Sequence, residues 1–433
     1  MTAARIVAVL ALFAGVSVAQ TVQSPSSARV MRVFHRSLRN STRDVDRVTR
    51  ELAALGPDAI APLFEIAAGE TSELAGEQTL HPARLESASE LARMALGRMR
   101  ERDVLLFLDG LVDDDSSPEV RLAAVRVLGD RQSSQALERL LDLGREYDPR
   151  ELSSHAVRRT FQASLTRILS GNGSAWDRLG DELKSVGRPM LDWVVNALVQ
   201  SGNPRSFEAL PMLLGRDPGL DPLILTALSD LAERRPWLVE DELASAVTPF
   251  LDDEDWRLRK FAVVALGRIH SVDDLDQIAF MLEDEHPAVQ RAARWSLEEM
   301  AGDDHGSTRG EWLGWFDREL ESWADDRAEF EHDTERSNPG VVIAAVRNLA
   351  RHPLFRHEAA ELIVALLFER PELSVALCQA LLQLGSGRAV PGLVDALSAQ
   401  DADLRTNAWA VLTRLTGEEL PADSEHWVQL VLE

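Results

Sequence analysis

A leucine that returns at near-regular intervals constrains this chain more than anything else in it. Counted from Ala88, Val120, Val157, Met190, Leu220, Leu258, Val289, Val341, Leu373 and Leu404, the residue eight places on is always leucine: Leu96, Leu128, Leu165, Leu198, Leu228, Leu266, Leu297, Leu349, Leu381 and Leu412. Within each copy, apolar or small residues fall at i, i+3, i+4, i+7 and i+8, which places them on one face of an α-helix. The copies start 32, 37, 33, 30, 38, 31, 52, 32 and 31 residues apart, so one interval carries an insertion. Such a period predicts stacked helical pairs, each too small to bury its apolar face alone. The seventh position is usually small, as at Ala95, Ala197, Ala227, Ala265, Ser296 and Ala380, and leaves room for a second helix to approach.

That second helix has its own pattern. Ser386-Gly387-Arg388-Ala389-Val390-Pro391-Gly392-Leu393-Val394-Asp395-Ala396-Leu397 is its clearest copy, with weaker ones from Ser206 and Ser134. Proline fits there because the first turn of a helix has N–H groups without intrahelical partners. Abundant Ala, Leu, Arg and Glu with a single Tyr favour helix over sheet. The expected fold is all-α, a solenoid of stacked antiparallel helical pairs.

The stretches Asp115-Ser116-Ser117-Pro118-Glu119-Val120-Arg121-Leu122-Ala123-Ala124, Trp256 to Gly267, His286 to Leu297 and Asp401 to Leu412 resemble HEAT repeats. The likeness is to the short bacterial form also present in relatives of phycobilisome lyases, and it covers about Gly56 to Glu433. It implies a scaffold or adaptor, and, as the alternative, an enzyme or enzyme subunit of the lyase-like kind. Arg121, Arg259 and Arg405 recur one place after the repeat start, and Asp255 and Asp401 stand four residues before their arginine. That spacing allows a modest helical ion pair. The resemblance implies that such Asp and Arg residues link neighbouring repeats.

Residues 1–19 read as a signal peptide: Arg5, then an apolar run from Ile6 to Val18, then small residues at Ser17 and Ala19. A run of 13 residues is too short to span a bilayer, which takes about 20. The expectation is export to the periplasm or cell exterior, with no integral membrane segment after cleavage. Residues 20–55 form a Ser-rich leader to about Ala28 and N-terminal helices. A long array follows over 56–325, then a hinge over 326–340 and a second short array over 341–433. Both arrays end alike, Gly302 and Trp312 standing 13 and 23 residues after Val289 as Gly417 and Trp427 do after Leu404. The glycines read as helix C-terminal caps.

Net charge −25 argues against a nucleic-acid backbone, whose binding needs clustered Lys and Arg. It leaves a cationic protein partner open. The clusters Asp113–Asp115, Asp252–Asp255, Glu283–Glu285 and Asp303–Asp304 sit mainly before first helices, where carboxylates cap N–H groups for about 0.3–1 kcal/mol each. None has the alternating spacing of a calcium loop. His81, His286 and His352 each precede proline and read as turn or cap residues, and His352 and His357 are wrongly spaced for zinc on one helix face. Cys378, the only cysteine, reads as a small buried hydrophobe. No nucleophile, phosphate-loop or haem motif occurs, so neither a catalytic residue nor a cofactor is implied. Trp295 and Trp409 read as core. Trp312, Trp315, Trp323 and Trp427 either cap the core or offer a partner an anchor, and capping is preferred. The expected function is a non-catalytic scaffold that binds protein partners along the concave face lined by second helices.

Overall fold

The computed structural model describes residues 25–39, 45–69, 82–111, 118–147, 154–171, 173–188, 190–239 and 242–432. The segments read as signal peptide, as the loop from Glu70 to Thr79 and as the cluster Asp113–Asp115 lie outside them. The described residues are helical or in turns, with no strand among them, and fall into two compact units that divide between Asn203 and Pro204.

The first unit opens with α1 (Pro25–Arg39), α2 (Val45–Ala53) and α3 (Ile60–Ala68), so residues 25–28, expected as leader, are already helix. Four first helices follow: α4 (Pro82–Arg98), α6 (Pro118–Gly129), α8 (His155–Leu169) and α10 (Met190–Ser201). Between them run α5 (Glu101–Leu111), α7 (Ser134–Glu146) and α9 (Ala175–Ser185). The first helices pack in succession, and α7 packs on α9.

In the second unit, α11 (Ser206–Ala209), α13 (Glu242–Val247), α15 (Leu275–Phe280), α17 (Arg309–Thr334), α19 (Arg356–Glu369), α21 (Val390–Ala396) and α23 (Ser424–Leu432) are second helices. They alternate with first helices α12 (Asp221–Arg234), α14 (Trp256–Ile269), α16 (Pro287–Ala301), α18 (Pro339–Leu349), α20 (Ser374–Leu384) and α22 (Ala402–Thr416). The helix α12 packs on α14 and α14 on α16, after which α18 packs chiefly on the 26-residue α17 before α20 and α22 resume the stack. The insertion is therefore this long helix, opened by a Thr308–Glu311 capping box. Of the residues expected as a hinge over 326–340, those to Thr334 continue α17.

All ten recurrent leucines are 0% exposed. They hold the same place on the buried stripe of every first helix, so each contributes about 1.5–3 kcal/mol of apolar burial. Nine of the ten starting positions are buried too; Val341 is half-exposed and Val342 takes the core position, because α18 sets its buried face one residue later.

The recurrent arginine binds the loop before its helix rather than a carboxylate on it. Arg259 Nη1–H donates to the carbonyls of Asp253 and Glu254 (2.8 and 3.2 Å), and Arg405 Nη1–H to those of Ala399 and Gln400 (2.7 and 2.8 Å). Gln290, at the same repeat position, donates to the Asp284 carbonyl at 2.6 Å. In these three repeats the side chain thus ties the helix to the loop that leads into it. The expected four-residue ion pairs do not form: Asp255 and Asp401 cap their helices instead, accepting from the N–H groups of Arg257 and Leu404. Arg259 turns its remaining donors to Asp284 of the following loop, at 2.7 and 3.0 Å, with both side chains under 10% exposed. Burial works against the Asp284 carboxylate, but hydrogen bonds from Arg259 and the His286 N–H outweigh it and hold its pKa below the ordinary value.

Removing Arg259 strands a buried carboxylate, whereas removing Arg405 leaves two carbonyls short of a donor. Arg259→Ala is expected to cost about 3–5 kcal/mol and Arg405→Ala about 1–3 kcal/mol. Urea unfolding of the two variants checks that ordering.

Candidate functional site

The helix α14 ends in a way its relatives do not. Gly302, Gly385 and Gly417 close α16, α20 and α22 in the left-handed conformation, at φ 76°, 62° and 75°, whereas α14 closes on His270 at φ 62°. A side chain there is strained by roughly 1 kcal/mol or more, so surrounding contacts must hold it. They do. His270 is 5% exposed; its Nε2–H donates to the Leu354 carbonyl at 2.8 Å, and its Nδ1 accepts from Arg356 Nη2–H at 2.9 Å. With one nitrogen donating and the other accepting, the ring is neutral. Burial, the Arg356 charge and the neighbouring His357 push its pKa well below the ordinary value.

The ring of His357 stands edge-on to His270 at 4.8 Å, and its Nδ1 lies 2.8 Å from Ser386 Oγ. Ser386 is 0% exposed and its hydroxyl accepts the Arg388 N–H, capping the turn Gly387–Ala389. A hydroxyl so placed cannot meet a substrate. The His357–Ser386 pair fastens α19 to the entry of α21.

His270, Leu354, His357 and Arg388 line part of a cavity of about 700 Å³ within the second unit. Its walls come from second-helix segments: Ala244 to Asp252, His270 to Gln277, Leu354 to Glu361, and Arg388. Five carboxylates line it, Asp252, Asp273, Asp274, Glu358 and Glu361, against one guanidinium, Arg388. Asp274 is buried and bonded to Thr248, Ser271 and Gln277, Glu358 pairs with Arg327, and Glu361 with Arg388 at 3.4 Å. Asp252 and Asp273 are exposed and have no ion pair among the described residues. The cavity is therefore a concave acidic surface suited to a cationic group. Beside Arg388, Gly387 lies so near Pro236 that a β-carbon there would overlap the proline ring, so glycine permits the close approach of two segments 151 residues apart.

The four tryptophans weighed from the sequence go elsewhere. Trp312 and Trp427 are 0% exposed, and each donates Nε1–H to a carbonyl six residues earlier, Gly306 at 3.0 Å and Pro421 at 2.8 Å. Trp323 is 3% exposed and stacks on Phe355 at 4.9 Å. Side chains so buried offer a partner no surface. Trp315 is half-exposed and stacks on His305 at 4.1 Å. Trp409, expected in the core, is instead 36% exposed and donates to the Leu420 carbonyl, while Trp295 is half-buried beneath the Arg268 guanidinium at 4.7 Å. Cys378 is buried, and burial pushes its thiol up to about 12. His286 caps α16, its Nδ1 accepting the Ala288 N–H. His352 has a larger role than a turn: buried at 3% exposure, it bridges Glu319 and Asp326 of α17 at 3.0 Å each. Burial alone would lower its pKa, but the two carboxylates carry it above the ordinary value. Among the described residues, no three His, Cys, Asp or Glu side chains converge as metal ligands.

Spacing along the chain did not mark the cavity, whose walls come from segments far apart in sequence. One signal was present: histidine at a cap position that three sister helices give to glycine.

A family model described as HEAT repeats matches residues 87–159 and again 223–298. No curated protein matches the chain. Two solved structures, both titled as an engineered protein, resemble it at a distance. One is 14% identical over 90% of this chain and 100% of its own, with a TM-score of 0.31; the other is 18% identical over 62% and 95%, with a TM-score of 0.21. Likeness at that level decides nothing about the site.

The two buried histidines set opposite pH dependences. His270, depressed, contributes stability above its unfolded pKa near 6.5, and that contribution is lost as pH falls below it. His352, raised, contributes fully below pH 6.5 and loses its share as pH rises through its folded pKa. Urea melts from pH 5 to 8 are expected to show the acid-side loss diminished in His270→Asn and the alkaline-side loss diminished in His352→Asn. Gly387→Ala is expected to cost about 1–3 kcal/mol through its overlap with Pro236, read in the same melts.

Proposed function

This chain is a HEAT-repeat protein, and on that footing we propose that it is an exported, non-catalytic scaffold that receives a basic segment of a protein partner in the acidic cavity of its second unit. HEAT repeats suggest a repeat scaffold for protein interaction, and helical pairs expose a continuous face along which unlike side chains vary while the core stays constant. Export is supported by the charged, apolar and small-residue succession of residues 1–19. The observation that carries the choice of partner is the lining of the cavity, five carboxylates to one arginine, with Asp252 and Asp273 unspent on ion pairs among the described residues. No helix of the described residues is long and apolar enough to cross a membrane.

The mechanism is electrostatic capture. A concave wall of one sign concentrates counter-charged groups and speeds their encounter, and an exposed ion pair adds about 0.5–1 kcal/mol once formed. The neutral His270 contributes no opposing charge at neutral pH.

A fluorescent peptide rich in Lys and Arg supplies the test. Asp252→Asn with Asp273→Asn is expected to weaken its binding about five- to thirty-fold and to flatten its salt dependence. Removing two exposed carboxylates on α17, Asp317→Asn with Glu321→Gln, serves as the control of equal charge. Equal weakening in both double variants would mean that the peptide follows net charge rather than the cavity, and the reading would fail.

A further inference from the structure

The first unit carries a cavity of opposite sign. It holds about 440 Å³ on the face of three consecutive first helices and is lined by Arg93 of α4, Arg126 of α6, and His155, Ala156, Arg159, Thr160, Ala163, Ser164 and Arg167 of α8. Four arginines and a histidine line it, with no carboxylate among the lining residues, in a chain of net charge −25. Like charges this close repel, so the arrangement needs compensation. Part of it is visible. Asp130 bridges Arg93 at 2.5 Å and Arg167 at 2.8 Å, its own side chain only 12% exposed, and so cancels one of the four charges. Arg126 and Arg159 have no ion pair among the described residues, and burial together with the nearby Arg93 charge lowers the pKa of Arg126.

A second observation is independent of the arginines. Ser164 is 1% exposed, lines the same cavity, and its hydroxyl has no hydrogen-bond partner among the described residues. Its counterpart seven places after the start of another repeat, Ser296, packs against Gly267 as Ser164 packs against Gly129, but spends its hydroxyl on the Val263 carbonyl at 2.9 Å. The packing role is shared, whereas the unspent donor is particular to Ser164. A buried hydroxyl without a partner costs about 1–3 kcal/mol, which an acceptor in the cavity would recover.

We propose that this cavity binds a small soluble ligand carrying a phosphate-class oxyanion, held by Arg126 and Arg159 from adjacent helices, with the Ser164 hydroxyl donating from the floor. Guanidinium groups suit that oxyanion because their paired N–H donors match two of its oxygens at once. Arg93 and Arg167 are already bridged by Asp130 and frame the site. A lipid headgroup offers the same chemistry, but a membrane rich in anionic lipid repels a chain of this charge, which favours the soluble source.

Isothermal titration of the full chain with inorganic phosphate at low ionic strength tests this. Saturable binding at one site is expected, weakened at least tenfold by Arg126→Gln with Arg159→Gln and measurably by Ser164→Ala. Arg178→Gln, an exposed arginine of α9 paired with Glu138, is expected to leave it unchanged, and thermal melts confirm that each variant is folded. Absence of saturable binding, or binding that survives the double substitution, overturns the proposal. Sedimentation with phosphatidate vesicles that depends on Arg126 and Arg159 would overturn the soluble assignment.

Discussion

A helical pair of some thirty residues cannot exclude water from its own apolar face, and this dependence on neighbours governs the chain. Each first helix buries its recurrent leucine completely, as Leu128, Leu266 and Leu412 do, only because another helix lies against it. Stacking order is thus a requirement of burial. The polar contacts at repeat ends refine it: Arg259 and Arg405 fix how the chain enters a helix, and Arg259 also reaches the loop beyond. They act at fixed offsets because the stacked helices already place loop and helix start together.

The same dependence explains what could be read from the chain and what could not. The buried leucines were legible since helix register alone sets their side, and the likeness between Trp312 and Trp427 extended to identical six-residue bonds back to a carbonyl. Pairing was less legible. Asp255 and Arg259 stand at ion-pair spacing, yet an open helix N-terminus takes the carboxylate and a loop in the next repeat takes the guanidinium. Trp409 has the spacing of a core residue, but lies at the edge of the buried stripe of α22, where its indole reaches the Leu420 carbonyl. The acidic cavity is assembled from segments more than a hundred residues apart, from Ala244 to Arg388, which no local pattern encodes.

Cavities of opposite sign, one in each unit, give the molecule more character than its net acidity suggests. Acidic residues dominate the total, and most of those described serve caps, loops and ion pairs. Asp252 and Asp273 in one cavity, and Arg126 and Arg159 in another, have no such employment among the described residues. Local surplus, rather than total charge, is what a ligand meets.

The contact between Pro236 and Gly387 changes the kind of object the second unit is. In an open array, repeats communicate only with adjacent repeats, so either end can fray while the remainder stays folded. A contact joining helical pairs four steps apart makes a closed circuit of packing, in which loosening any member is felt at the junction. The second unit should therefore melt as one cooperative body and fold more slowly than its helix content suggests, since the junction cannot form until the intervening pairs have brought its two sides together.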